Sequence, residues 1–206
     1  RSQKVNDPSL ETFSPACRST TFKLLIAEAC RLGFQLRTWD IEAAYLKGKF
    51  EDGAETLYAR PPPGYRRYIN GIPLIWKLKT PLYGEADAGR IWYNTFIKFM
   101  LQVRGFTQSL YDPCLMWKVL SNGSRFLCCI YVDDGVSADD GSTAADDELE
   151  AINKQFKIIV KSASFFLGNN IPCYSKHRVT LSSRAYVQRM TARYLLNPDA
   201  REATST

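Results

Sequence analysis

The chain has 206 residues, 45% hydrophobic and 23% charged, with 12 Gly and 10 Pro; this balance is that of a water-soluble globular chain and excludes disorder and collagen. At roughly 150 residues per domain it makes one domain or one large lobe, long enough to bury a sizeable core. Lys plus Arg number 27 against 21 Asp plus Glu, a formal charge of +6, which suits a polyanionic partner without identifying one.

In chain order, residues 1–17 are polar, contain Pro8 and Pro15, and predict an extended lead-in. From Thr20 to Gly33, Phe22, Leu25, Ile26, Ala29 and Cys30 recur at three- and four-residue steps, with Thr20 or Thr21 to cap the start and Gly33 to end the helix. Phe34 to Trp39 alternates as a half-buried strand and delivers the chain to Asp40 at its end. Three consecutive prolines make Arg60 to Gly64 a rigid surface turn, and Ile72 to Leu78 is strand-like. Asp87 to Val103 predicts a second long helix, stopped by Gly105. Leu115 to Leu120 and Arg125 to Val132 should pair antiparallel across Ser121-Asn122-Gly123-Ser124, and Val136 to Ala138 should return as a second hairpin with Asp133-Asp134 at or beside its turn. A helix over Asp146 to Phe156, strands over Phe165 to Ile171 and Arg178 to Leu181, and a helix over Ser183 to Leu196 complete the reading. Strands and helices without regular alternation predict an α+β fold.

The six cysteines show no C-x-x-C spacing and there is one His, so no zinc site is expected. Adjacent Cys128 and Cys129 should point to opposite faces of a strand, and reduced thiols in an intracellular protein follow. The longest apolar run, Phe126 to Val132, falls short of the roughly 18 residues that cross a bilayer, and no signal-peptide pattern stands at the N-terminus. A protein that is neither membrane-spanning nor secreted is expected. The first residue is Arg, as in a piece of a longer translation product.

The sharpest chemical feature is Tyr131-Val132-Asp133-Asp134, two adjacent acids closing a strand of apolar, β-branched and aromatic residues. Alone it reads as an exposed turn, where Asp is favoured for backbone reasons. Asp40 ends a strand in the same manner, and two or three carboxylates converging on one sheet would suit Mg2+, a hard cation that takes oxygen ligands. Two such ions about 4 Å apart serve in-line phosphoryl displacement. Trp76, Trp92 and Tyr93 among Lys77, Lys79 and Arg90 suggest aromatic platforms on a basic surface; Trp92, on the apolar stripe of its helix, reads rather as core. The acidic stretch Asp139 to Glu150 lacks EF-hand spacing and reads as a solvated helix start.

In order along the chain, Glu11-Thr12-Phe13-Ser14-Pro15 is similar to E-T-F/Y-S-P, and Asp40-Ile41-Glu42-Ala43-Ala44-Tyr45-Leu46-Lys47-Gly48 to D-V/I-x-x-A-F/Y-L-x-G. Leu57 to Tyr65 is similar to I-Y-M-x-x-P-x-G-F/Y, and Trp76 to Gly84 to W-K-L-x-K-S/A-L-Y-G. Arg90, Trp92, Tyr93, Asp112-Pro113-Cys114, Tyr131 to Asp134, Phe166-Leu167-Gly168 and Val179 to Ser182 follow. This series, from about Glu11 to about Asn197, resembles the Ty1/copia-type reverse transcriptase domain of long-terminal-repeat retrotransposon Pol polyproteins.

The resemblance implies a polymerase palm-like antiparallel sheet with packed helices and incomplete fingers, spanning 18–197 between the 1–17 lead-in and a 198–206 tail. It implies an RNA-directed DNA polymerase that transfers deoxynucleotides to a primer 3′-hydroxyl by two-metal-ion catalysis in retrotransposon replication. Asp40, Asp133 and Asp134 become its catalytic acids; Asp40, Asp133 and the Ile41 carbonyl hold two Mg2+ ions, with Mn2+ as the substitute. Tyr45 lies under the nucleotide sugar and selects deoxyribose, Tyr83 and Gly84 complete the nucleotide pocket, and Arg90, Phe166, Leu167 and Gly168 contact primer and template. Its partners would be an RNA or DNA template with primer, deoxynucleoside triphosphates and the RNase H and integrase parts of the polyprotein, in a cytoplasmic particle or the nucleus. Gly84 to Arg90 departs from the family's G-L-K-Q-A-P-R, losing a lysine and gaining Glu85, and the basic finger strands that the family carries ahead of the E-T-F/Y-S-P signature are expected to be absent. A degenerate or fragmentary relic that folds and binds nucleic acid without catalysis is therefore the rival reading, and a metal-dependent nuclease using the same acids is a third.

Overall fold

The structure is a computed structural model that describes residues 12–51, 53–175 and 177–194. The predicted lead-in and the E-T-F/Y-S-P match therefore lie partly, and the 198–206 tail wholly, outside the described residues. The elements in order are α1 (Ser19–Leu32), β1 (Gln35–Ile41), a 3-10 turn (Ala44–Lys47), the short strands β2 (Tyr58–Ala59), β3 (Tyr68–Ile69), β4 (Ile72–Pro73) and β5 (Trp76–Lys77), α2 (Ala88–Lys98) with a π-helical last turn (Phe99–Val103), β6 (Thr107–Gln108), β7 (Leu115–Val119), β8 (Arg125–Tyr131), β9 (Asp134–Asp139), α3 (Thr143–Phe156), β10 (Ile158–Ser162), β11 (Phe165–Phe166), β12 (Asn169–Ser175), β13 (Arg178–Ser182) and α4 (Arg184–Tyr194). Helices with antiparallel sheets make it an α+β protein. The chain divides into two compact units, one built on Ala43–Gly105 with the lead-in up to Pro15, the other on Ala16–Glu42 with the chain from Phe106.

In the first unit, β2 pairs with β5 and β3 with β4, both antiparallel. The single strand expected over Ile72 to Leu78 is thus two, because Asn70 and Gly71, at φ 50° and 77°, form a local hairpin turn that captures Ile72 and Pro73. The Pro61–Pro63 run ends in a turn whose Tyr65 amide donates to the Pro62 carbonyl at 3.1 Å. Helix α2 buries Ala88, Trp92 and Phe96, the last two with ring centroids 5.6 Å apart, so Trp92 is core rather than a nucleic-acid platform.

In the second unit a six-stranded antiparallel sheet runs β10-β1-β9-β8-β7-β6, beside a three-stranded sheet β11-β12-β13. Alternation sends Leu127 and Cys129 to one face of β8 and Phe126, Cys128 and Ile130 to the other, and all but the half-buried Leu127 are buried. The two faces are covered by different helices. Glu28 of α1 meets Arg125 on the Cys129 face at 3.9 Å, whereas Glu148 of α3 takes Lys118 on the Cys128 face at 2.6 Å. Both thiols are free, as are Cys17, Cys30 and Cys114, and burial pushes the Cys114 and Cys128 thiols far above their ordinary range.

Helix α1 ends as predicted at Gly33, φ 67°. Its start does not use Thr20 or Thr21 as a cap. Thr21 Oγ1 instead donates to buried Asp112 Oδ2, which also accepts the Arg18 amide at 3.1 Å while Oδ1 accepts the Cys114 amide at 2.9 Å. One carboxylate thereby ties the head of α1 to the approach to β7. The hairpin β7-β8 pairs as expected around a three-residue loop, Ser121 to Gly123, with Gly123 at φ 81°.

Two further expectations need correction. The Phe165 to Ile171 run is a hairpin, folded at Leu167 and Gly168, both at positive φ, with Phe166 opposite Asn169. The acidic stretch is not simply a solvated helix start: Asp139 is buried in β9 and Glu148 is buried in α3, each with a cationic partner. Helix α3 itself begins at Thr143, three residues ahead of the predicted Asp146, and β10, with its Ile158-Ile159-Val160 start, is a strand that the sequence reading passed over.

Candidate active site

The neighbouring strands β1 and β9 lie antiparallel with Asp40 opposite Asp134 and Trp39 opposite Gly135. Residues directly opposite in such a pair project from one face, with Cβ atoms about 5 Å apart. Between β8 and β9 the chain reverses in two residues, Val132 and Asp133, closed by the pair Tyr131 and Asp134. The Asp133 carbonyl accepts the Ile41 amide at 2.9 Å, so the turn is stitched to β1 beside Asp40. Asp40, Asp133 and Asp134 are all exposed, and Ile41 is buried. Among the described residues no side-chain hydrogen bond or ion pair compensates any of the three carboxylates.

Val132 stands at φ 60°. A β-branched residue there is a backbone outlier costing about 1–3 kcal/mol, since the two-residue turn calls for a residue without Cβ at its first centre. The sheet holds it on both sides of the turn.

Asp134 has its carboxyl pushed above the ordinary carboxylate range, first by burial and then by the neighbouring charges of Asp133 and Asp40. A raised folded value means that the contribution of this acid to stability is complete below its unfolded value and is lost as pH rises through the folded one. Without divalent cations, Asp134→Asn is thus expected to melt above wild type at pH 7.5, by at most about 1 kcal/mol after solvent screening, or ~2–4 °C. The gain should vanish below about pH 4, where the acid is protonated in both states. Thermal melts at the two pH values check this, and equal melting at pH 7.5 would show that the charge on Asp134 carries no such penalty.

The remaining predicted site residues fall into two groups. In the first unit Tyr45 sits on the 3-10 turn with its ring 4.9 Å from that of Tyr83. Tyr83 and Gly84 are the centre of a turn whose Glu85 amide donates to the Leu82 carbonyl at 3.2 Å, and Gly84 at φ 97° supplies the conformation that only Gly takes readily. Glu85 accepts the Leu82 amide at 3.1 Å, so this unexpected acid closes its own turn, and burial raises its carboxyl above the ordinary range. Arg90 donates to the Phe13 carbonyl at 3.1 Å and straps the lead-in. In the second unit Phe166, Leu167 and Gly168 form the β11-β12 turn, and the Phe166 ring meets Phe22 of α1 at 5.0 Å.

Among the described residues no group of three or more His, Cys, Asp and Glu side chains is disposed to hold a metal ion, and no helix is long and apolar enough to cross a membrane. Comparison with known proteins decides the family. The model of the reverse transcriptase (RNA-dependent DNA polymerase) family matches residues 1–204. The chain belongs to the reverse transcriptase family. Its curated relatives are Ty1/copia-type transposon polyproteins. It is 28% identical over 92% of its length to the Retrovirus-related Pol polyprotein from transposon RE2 of Arabidopsis thaliana, covering 13% of that protein. To the polyprotein from transposon TNT 1-94 of Nicotiana tabacum it is 30% identical over 60% of its length, and 9% of the relative is covered. To the Transposon Ty1-ER2 Gag-Pol polyprotein of Saccharomyces cerevisiae it is 25% identical over 71% of its length and 8% of the relative. The reverse transcriptase chain thus spans about an eighth or less of these relatives. No solved structure matches it.

The sequence reading missed Trp39 and Gly135, which sit one rung from the acids, because neither carries chemistry of its own. The glycine after Asp134 was the available signal.

Proposed function

We propose that this chain is the RNA-directed DNA polymerase part of a retrotransposon Pol polyprotein, with Asp40, Asp133 and Asp134 as its catalytic acids. The observation that carries the reading is the Asp40–Asp134 rung, with Asp133 in the adjoining turn and the Asp134 carboxyl pushed up by burial and by the charges of both neighbours. A divalent cation would relieve the like-charge crowding that Asp133 and Asp40 impose on Asp134. The hard oxygen donors of these acids fit Mg2+, which is usually held by one or two carboxylates together with water and phosphate oxygens. Asp40 and Asp133, with the Ile41 carbonyl, are the residues that would hold it, and Asp134 would position the primer end. When bound, a pair of divalent cations, Mg2+ or Mn2+, would activate the primer 3′-hydroxyl and stabilise the departing pyrophosphate.

The rest falls to the chain's own residues. Tyr45 would lie against the incoming sugar and exclude a 2′-hydroxyl, while Tyr83 and Gly84 would let backbone approach the nucleotide. Phe166, Leu167 and Gly168, turned tightly between β11 and β12, would grip the primer end, and Arg90 would contact the duplex. The basic excess would draw the phosphate backbone. The partners would be a primed RNA or DNA template, deoxynucleoside triphosphates, and the RNase H and integrase parts of a longer polyprotein.

Primer extension on an RNA template with Mg2+ and deoxynucleotides tests the assignment. Lengthened primers are expected; no lengthening overturns it, and shortened strands would point to a nuclease. Tyr45→Ala is expected to lower discrimination against ribonucleotides by at least about tenfold, read as the ratio of kcat/KM for the two sugars. An unchanged ratio removes Tyr45 from this role.

A further inference from the structure

We propose that Trp39 and Gly135 are the positioning pair of the acid site: the Trp39 indole fills the space that a Cβ on Gly135 would take and sets where Asp40 and Asp134 stand. The inference rests on the polymerase reading above.

Trp39 and Gly135 are Cα partners on β1 and β9, and the next rung is Asp40 with Asp134. Both are buried, Trp39 to 2% exposure. A Cβ added to Gly135 would come within 2.2 Å of Trp39 Cζ2 and 2.3 Å of Cε2 and Cη2. Ordinary carbon contacts lie at about 3.5–4.0 Å, so even one methyl group requires the indole or the strand to give by more than an ångström. The obstacle is a rigid ring, wedged into a close-packed interior, rather than the end of a flexible chain. Gly135 does not serve conformational freedom, since its φ is not among the positive ones; it serves contact. Strain introduced at this rung passes along two strands to the carboxylates beside it, because Asp40 follows Trp39 and Asp134 precedes Gly135. On the other side Ile130 pairs with Gly135, and Tyr131 with Asp134, so β9 has little room to slide.

A misplacement of about 1 Å at a reacting group can cost about a hundredfold in rate. Gly135→Ala is therefore expected to lower kcat of primer extension by about a hundredfold with KM for the nucleotide within about threefold, and to weaken binding of Mn2+ alone by tenfold or more. Trp39→Leu in the same chain removes the obstructing ring. The Trp39→Leu/Gly135→Ala double variant should recover at least tenfold in both readouts relative to Gly135→Ala, whereas independent sites would compound their losses. Circular dichroism and melting of all four proteins separate folding from positioning. If Gly135→Ala fails to fold, Trp39→Leu and the double variant should match each other in kcat and Mn2+ affinity.

Wild type that extends no primer sinks the polymerase reading and this inference with it. Wild type that extends, beside a folded Gly135→Ala with unchanged kcat and Mn2+ affinity, overturns this inference alone. So does a double variant no better than Gly135→Ala, or one that differs from Trp39→Leu when Gly135→Ala does not fold.

Discussion

Asp133→Asn is expected to abolish primer extension while leaving the fold intact. Asp133 is exposed, its carboxylate has no hydrogen-bond or ion-pair partner among the described residues, and its structural duty falls on the backbone carbonyl that accepts the Ile41 amide at 2.9 Å. Asparagine keeps that carbonyl and the size of the side chain, and removes one negative charge. A unit charge about 4 Å from a unit cationic charge contributes ~4 kcal/mol at an effective dielectric of 20, about three decades in rate. Single-turnover extension by purified wild type and variant, with circular dichroism as control, reads the effect. Extension by the variant within tenfold of wild type would strip Asp133 of its assigned role.

The largest expected loss of stability lies at the far end of β9. Asp139 has a fully buried side chain that receives Arg37 Nε at 3.0 Å and Nη2 at 2.8 Å, Gln35 Nε2 at 2.9 Å and the Gly141 amide at 3.0 Å. Arg37, 15% exposed, also reaches Asp146 of α3. Asp139→Ala removes the carboxylate that neutralises Arg37 within the sheet and leaves a buried guanidinium, at a cost of about 3–5 kcal/mol. For a chain of this size that is a fall on the order of 10 °C in Tm. Asp146→Ala removes a partner that is 59% exposed and should cost about 1 kcal/mol or less. Thermal melts compare the two, and similar losses would show that burial does not set the worth of this network.

Where periodicity was long the fold was legible: α1 and its Gly33 end, the α2 stripe with Trp92 inside, and the β7-β8 and β8-β9 hairpins follow from residue pattern. It failed where a short turn cut an apolar run. Leu167 ahead of Gly168 carries none of the Asn or Asp that announces such a turn, yet both adopt positive φ. Buried charge was the other failure. Asp139 and Glu148 look solvated in a row of acids, yet Arg37 and Lys118, distant in sequence, meet them inside. The acids of the candidate site were visible as two strand endings. Their pairing on one rung was not, because it depends on a reversal at Val132, a residue that disfavours the conformation it holds.

The strand β9 carries Asp134 and Asp139 five positions apart, an odd interval, so they emerge from opposite sides of the sheet. One meets a cation supplied by the chain itself; the other is left to repel its neighbours. Shifting β9 by a single residue would exchange their sides, sending Asp139 away from Arg37 and Asp134 into the layer beneath α3. The satisfied acid therefore works as a frame marker for the unsatisfied one. Lineages carrying this strand should tolerate altered letters within it far more readily than altered length.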